Sequence, residues 1–310
     1  MKTKLDTGIV LWMLAGAAIL ALFLIVGWHF YRVENPAQEL AFKASRADTV
    51  GRMQLALASA SEAEKSAVLA TTDQDSRMLA DRARAATAEV EQEREELANL
   101  LATGGTQREK DLLAQFSGAF DNLRRVDDEV LRLAVKNTNL KAYKLLFGPA
   151  AETLAEIDAA LSRVVAKCAG SRDCSQLMPL AFGAQIGVLR IQTLLAPHIA
   201  EESDAEMDRM EALMAKEVTQ VRADLDGLAS KLPRDPDVAM AGVRFVRYGE
   251  LKAQILSLSR ENTNVRSLAL SLNQKRKALL LCLEASDALK QAILEEPIAG
   301  VTYGRPPKPR

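Results

Sequence analysis

The 310 residues carry 40 Lys and Arg against 41 Asp and Glu, a net charge of −1 that offers no field for a phosphate backbone and excludes nucleic-acid binding on electrostatic grounds. Aromatic residues make up 5% of the chain while hydrophobic residues reach 48%, and Ala, Leu, Glu, Lys and Arg dominate, a profile that favours long helices over sheets. The histidines are few, the cysteines lack zinc-type spacing, and no glycine-rich phosphate loop follows a strand, so neither an enzyme, a metal centre nor a bound cofactor is expected.

Residues 1–8 form a short tail. From Ile9 to Trp28 the run IVLWMLAGAAILALFLIVGW is uncharged and about as long as a helix needs to cross a lipid bilayer. Trp28, Phe30 and Tyr31 follow as an interfacial aromatic cluster, which sets a transmembrane helix over 9–30. The sequence VGWHFYR offers no small-residue cleavage site, so the segment is expected to stay as an anchor. Lys2 and Lys4 on one side and Arg32, Lys43 and Arg46 on the other do not fix the orientation by charge count.

Beyond the anchor, Pro36 suits a helix start, and an apolar stripe runs through Val50, Met53, Leu57, Ala60, Ala67 and Val68. It ends near Thr71–Asp75, where Thr72 or Asp73 can cap the next helix. That helix carries Leu79, Ala83, Ala86, Val90, Leu97 and Leu100, with a run of acidic and basic residues read as its solvated face. Gly104-Gly105 and Thr106 are a stop signal and a fresh N-cap, so the chain reverses there. A third helix is expected from Gln107 to Phe147, ended or kinked by Gly148-Pro149, and a shorter one from Ala150 to Lys167.

The spacing in CAGSRDC would allow Cys168 and Cys174 to pair as a disulfide in an oxidising space, whereas Cys282 reads as a small buried apolar residue. A fifth helix is expected over Ser175–Leu232, kinked or broken near Pro197, with a core stripe through Met207, Met210, Met214, Val218, Val221, Leu225, Leu228 and Leu232. Pro233-Arg234-Asp235-Pro236 makes the last turn. The final helix shows a heptad stripe through Leu251, Ile255, Leu258, Asn262, Val265, Ala269, Leu272, Arg276, Leu279, Leu283, Ser286, Lys290 and Ile293. Residues 297–310 are Pro-rich, basic and expected to be disordered.

The third and last helices repeat one arrangement. VLRLAVKNTNLKAY over 130–143 aligns with ILSLSRENTNVRSL over 255–268 at an offset of 125 residues, so the bundle of 36–295 reads as related halves over 36–168 and 175–295. Each carries an Asn-Thr-Asn run. Asn137 and Asn262 either fix the register of long seams or bring amides to a polar pocket that holds a small ligand; in the register case Asn262→Leu would stabilise the protein. Arg46 and Arg52 either face an acidic ligand or stay solvated. The expected fold is all-α: a transmembrane helix, then an elongated antiparallel up-and-down bundle, one long four-helix bundle or two stacked modules.

The pattern EAEKSAVLATTDQDSRMLADRAR, a further helix and then LLFGPAAETLAEIDAAL, all behind one N-terminal membrane helix, resembles the four-helix-bundle ligand-binding domain of methyl-accepting chemotaxis receptors. SRENTNVRSLALSLNQKRKALL is similar to segments near the return to the membrane in the same superfamily, and the number of helices resembles its longer bimodular variant. The resemblance implies an extracytoplasmic sensory module of the inner membrane, often dimeric, that binds small solutes between helices. The chain departs from those receptors in showing no second span after Ile293, no HAMP-like linker, no signalling hairpin and no kinase domain. It is therefore expected to work with a helical signalling partner or a second copy. The other reading is a coiled-coil-like adaptor that binds helical proteins and no small ligand.

Overall fold

A computed structural model describes residue 12 and residues 16–26, 36–170 and 173–297. Every regular element among them is helical. The first is α1, Gly16–Val26, apolar and exposed throughout; apart from residue 12, the rest of the expected 9–30 anchor lies outside the described residues, as do residues 298–310. After it come α2 (Pro36–Leu69), α3 (Asp73–Gly104), α4 (Gln107–Ala134), α5 (Thr138–Leu145), α6 (Ala151–Cys168), α7 (Cys174–Ala200), α8 (Asp204–Lys231), α9 (Pro236–Glu261), α10 (Thr263–Leu270) and α11 (Arg276–Glu295).

The helix starts follow from side chains beside them. At α3, Thr72 Oγ1 accepts the Asp75 N–H at 3.1 Å and donates to the Asp75 carboxylate at 2.7 Å. At α4 the exchange is reciprocal: Thr106 Oγ1 accepts from Glu109 N–H at 3.2 Å, and Glu109 Oε2 accepts from Thr106 N–H at 2.8 Å, a capping box. Asp235 caps α9 by accepting from the N–H groups of Asp237 and Val238, with Pro236 at the first turn, where its missing N–H costs nothing.

Two compact units emerge. The first combines residues 1–55, 90–117 and 283–310, with Val50, Met53, Leu97, Leu101, Phe116, Leu289 and Ile293 buried. The second combines 56–89 and 118–282. In it α6 packs on α7 and α9, and α7 packs on α8, around a core that includes Ile157, Leu161, Val188, Ile191, Leu195, Met214, Leu228, Tyr248 and Ile255. α7 is long and apolar enough to cross a membrane by length and composition, yet it packs within this core and its Leu177, Ala181, Val188, Ile191 and Leu195 are buried there.

Three expected helices are divided in the structure. The third breaks at Asn137 and passes straight through Gly148-Pro149, which lie in a π turn over Leu146–Ala150. In a regular α-helix the proline ring would strike the carbonyl four residues back, and the wider turn removes both that clash and the need for its N–H. The fifth ends at Ala200; the extended Glu201 and Ser203 backbone reverses the chain into α8, a separate helix capped by Ser203 Oγ. The last breaks at Asn262 and contains a second π turn over Ser271–Lys275. These two features rotate the phase of the stripe, so Leu272 and Arg276 turn outward while Ser267, Ser271, Lys275, Ala278 and Cys282 take the buried row.

Candidate functional site

The element order of 138–168 recurs over 263–295: an eight-residue helix, a five-residue π turn and a longer helix, each set entered through an asparagine. Asn137 (φ 51°, ψ 40°) and Asn262 (φ 50°, ψ 39°) adopt the left-handed conformation, and among the described residues no other non-glycine has positive φ. Asparagine tolerates that region better than other residues with a Cβ, for which it costs roughly 1–2 kcal/mol. Each bend leaves the first N–H groups of the next short helix without an intrahelical acceptor.

The two helix starts satisfy one another. Thr138 N–H donates to Thr263 Oγ1 at 3.2 Å, and Thr263 N–H donates to Thr138 Oγ1 at 3.1 Å. One position further, Asn139 N–H donates to Asn264 Oδ1 at 3.2 Å and Asn264 N–H to Asn139 Oδ1 at 3.1 Å. Side-chain amides close the ring: Asn139 Nδ2 donates to Asn262 Oδ1 at 2.8 Å and Asn264 Nδ2 to Asn137 Oδ1 at 3.0 Å. Residues 125 apart in the chain thus meet around a local two-fold relation, each helix capped by the other's side chains.

The same amides hold the end of α7. Asn139 Nδ2 donates to the Ile199 carbonyl and Asn262 Nδ2 to the Glu201 carbonyl, both at 2.6 Å, while Asn137 Nδ2 donates to Asp73 Oδ1 at 3.0 Å. Asn137 and Asn262 are buried, and the carboxamides of both are engaged by protein groups. They are bends rather than seam residues, and the amide groups on which a polar ligand would call are already committed.

Beside the ring lies His198, fully buried. Its Nδ1 is 2.8 Å from Ser259 Oγ and its Nε2 is 2.9 Å from Glu211 Oε1. Glu211 accepts from Arg260 Nε at 2.7 Å, and Arg260 also pairs with Asp208. Burial pushes the imidazole below its ordinary pKa, against the opposing pull of Glu211. Ser259 is as buried as the histidine, so this hydroxyl–imidazole–carboxylate line is closed to substrate and serves to tie α7, α8 and α9 together.

The two arginines singled out by sequence lie in the first unit, and neither is an open anion site. Arg46 is buried rather than solvated: Nη1 pairs with Glu109 at 2.8 Å and Nη2 with Glu296 at 2.9 Å. Arg52 is partly exposed and bonded to Glu93 at 2.8 Å, Glu96 at 3.1 Å and Asp48. Cys168 and Cys174 are joined as a disulfide; Cys282 is free and buried, its thiol pushed up to about 12 by burial. Among the described residues no group of His, Cys, Asp and Glu could hold a metal ion.

Among the described residues the regular elements are helical, and the asparagine ring and the His198 line both join one helix to another. A family model described as a four helix bundle sensory module for signal transduction matches residues 7–170, more than half of the chain. The chain belongs to that family, the sensory module of chemotaxis receptors. A comparison with curated proteins found no match.

Proposed function

We propose that the chain is a membrane-anchored, extracytoplasmic sensor that takes up a small solute in its helical bundle and passes the change to a partner protein. The observation that carries this is the family match, which begins at residue 7, ahead of the apolar run, and extends through α6. The disulfide between Cys168 and Cys174 supports an oxidising compartment for the bundle, and the uncharged run through α1 supports a bilayer anchor. The ring of Asn137–Asn139 and Asn262–Asn264 is a natural relay, because a shift of α7 pulls on Ile199 and Glu201 and hence on both bends together.

A panel of amino acids, organic acids and amines screened by thermal shift on the full chain in detergent tests the reading, since a ligand of the native state raises the midpoint. At least one class is expected to raise it in a saturable way. A flat response across the panel would favour the second reading, an adaptor for helical proteins with no small ligand. That reading draws on Met178, Phe182, Ile186 and Leu189, a row of α7 left exposed, three of which flank or line an open apolar cleft with Leu154 of about 330 Å³.

A further inference from the structure

Within the second unit, α6 and α7 pack antiparallel on either side of the disulfide turn. Arg190 is the only Asp, Glu, Lys or Arg in α7, and it pairs with Glu217 of α8. The outer row of α7 is therefore apolar: Phe182, Ile186 and Leu189 are 44%, 50% and 53% exposed. With Leu154 and Asp158 of α6, and with Gln185, these three line the cleft of about 330 Å³, a size within the usual range of small-molecule sites.

The polar edge of this cleft is one-sided. Gln185 Nε2 donates to the Asp158 carbonyl at 3.2 Å, to Asp158 Oδ1 at 2.9 Å and to Ser162 Oγ at 3.0 Å, so its two hydrogens are committed. The other lining side chains are aliphatic or aromatic, and none is cationic. Acceptors, by contrast, are left over. Among the described residues Asp158 Oδ2 and Gln185 Oε1 receive no hydrogen bond, and Asp158 has no ion-pair partner. A carboxylate in water costs nothing by itself; at the edge of an apolar cleft it selects for charge.

We propose that this cleft takes an apolar primary amine in its protonated form, with the hydrocarbon body on Leu154, Phe182, Ile186 and Leu189 and the ammonium group at Asp158 and Gln185 Oε1. An ammonium group has three donors and no acceptor, which matches an edge that offers acceptors and no donor. An organic anion meets the reverse. A small amine without a hydrocarbon body gains only a screened ion pair. The inference rests on the sensory reading and names the solute class for it, yet the two fail separately. A midpoint raised by an organic acid but by no apolar amine strikes this inference alone, whereas silence across the whole panel strikes both.

The test is calorimetric titration of the full chain in detergent with phenethylammonium, ethylammonium and phenylpropionate, each against a detergent blank. Saturable uptake is expected for phenethylammonium, and none for ethylammonium, which lacks the hydrocarbon body, or for phenylpropionate, which has a similar body and the opposite charge. Asp158→Asn should bind phenethylammonium roughly three- to tenfold more weakly, and Phe182→Ala should also weaken it. Both positions are exposed, so the midpoints of these variants without ligand should stay close to that of the native chain. Equal uptake of phenylpropionate, or undiminished affinity in Asp158→Asn, would overturn the proposal. So would a native chain that takes up no phenethylammonium, the result expected if a second copy or a helical partner covers the row.

Discussion

Replacing Asn262 separates a bend from a seam residue. In the structure it bends the chain between α9 and α10 at φ 50°, accepts from Asn139 Nδ2 and donates to the Glu201 carbonyl. Alanine loses both hydrogen bonds, leaving polar groups short of a partner at about 1–3 kcal/mol, and forces a Cβ into the left-handed region at roughly 1 kcal/mol more. The expected total is about 3 kcal/mol, or roughly 6–12 °C in the midpoint. Glycine loses the same bonds without the backbone penalty, so Asn262→Gly should be the more stable variant by about 1 kcal/mol. In an ordinary helix interior the order is the reverse, glycine falling below alanine by about 0.5–1 kcal/mol. Leucine, which would stabilise a seam position, should be at least as damaging as alanine. Thermal unfolding of the three variants followed by circular dichroism decides the matter, and alanine proving more stable than glycine would refute the left-handed bend.

Other perturbations read separate parts of the structure. A Cβ at Gly187 would lie 2.4 Å from Val221 Cγ2, and the stiff valine cannot move aside cheaply, so Gly187→Ala should lower stability by about 1–3 kcal/mol in a denaturant titration. Reducing the Cys168–Cys174 disulfide, which closes a loop of sequence separation 6, should cost about 2 kcal/mol on the loop-entropy estimate, read as a lower midpoint in a reducing buffer. His198, faced by Glu211 and Asp208 from α8 and by Ser259 and Arg260 from α9, has its pKa lowered from 6.5, so the unfolded chain binds the proton more tightly. Its contribution is complete above pH about 6.5 and is lost as pH falls toward the lower folded value. The midpoint should therefore drop across that window in the native chain and drop less in His198→Gln.

Much of the helical plan is written in local side-chain chemistry. Thr106, Asp235 and the Gly104-Gly105 stop announce their ends within a few residues, and the methionine row of α8 is buried where its period places it, at Met207, Met210 and Met214. The bends are not legible in that way. An asparagine within a heptad pattern reads as a register residue, and the groups that make its left-handed conformation affordable lie 125 residues away. Nor does a heptad count reveal a π turn, which is why Arg276 was expected on the seam while Lys275 occupies it. Arg46 read as solvated because its partners, Glu109 and Glu296, lie in distant segments. The buried ion pair of Glu64 with Lys275, 2.6 Å apart, did leave a trace: Glu64 falls between Ala60 and Ala63 on one side and Ala67 and Val68 on the other, on the same stripe that the periodicity marks as core.

The mutual capping of the two Asn-Thr-Asn runs is the claim on which the rest stands, and a double-mutant cycle on Thr138→Val and Thr263→Val measures it. Each hydroxyl accepts the other residue's N–H, and the two oxygens are 3.2 Å apart. The double variant should therefore be less destabilised than the sum of the singles, with a coupling of roughly 1 kcal/mol or more. Strict additivity within about 0.3 kcal/mol, as found for distant sites, would mean that the two runs do not meet.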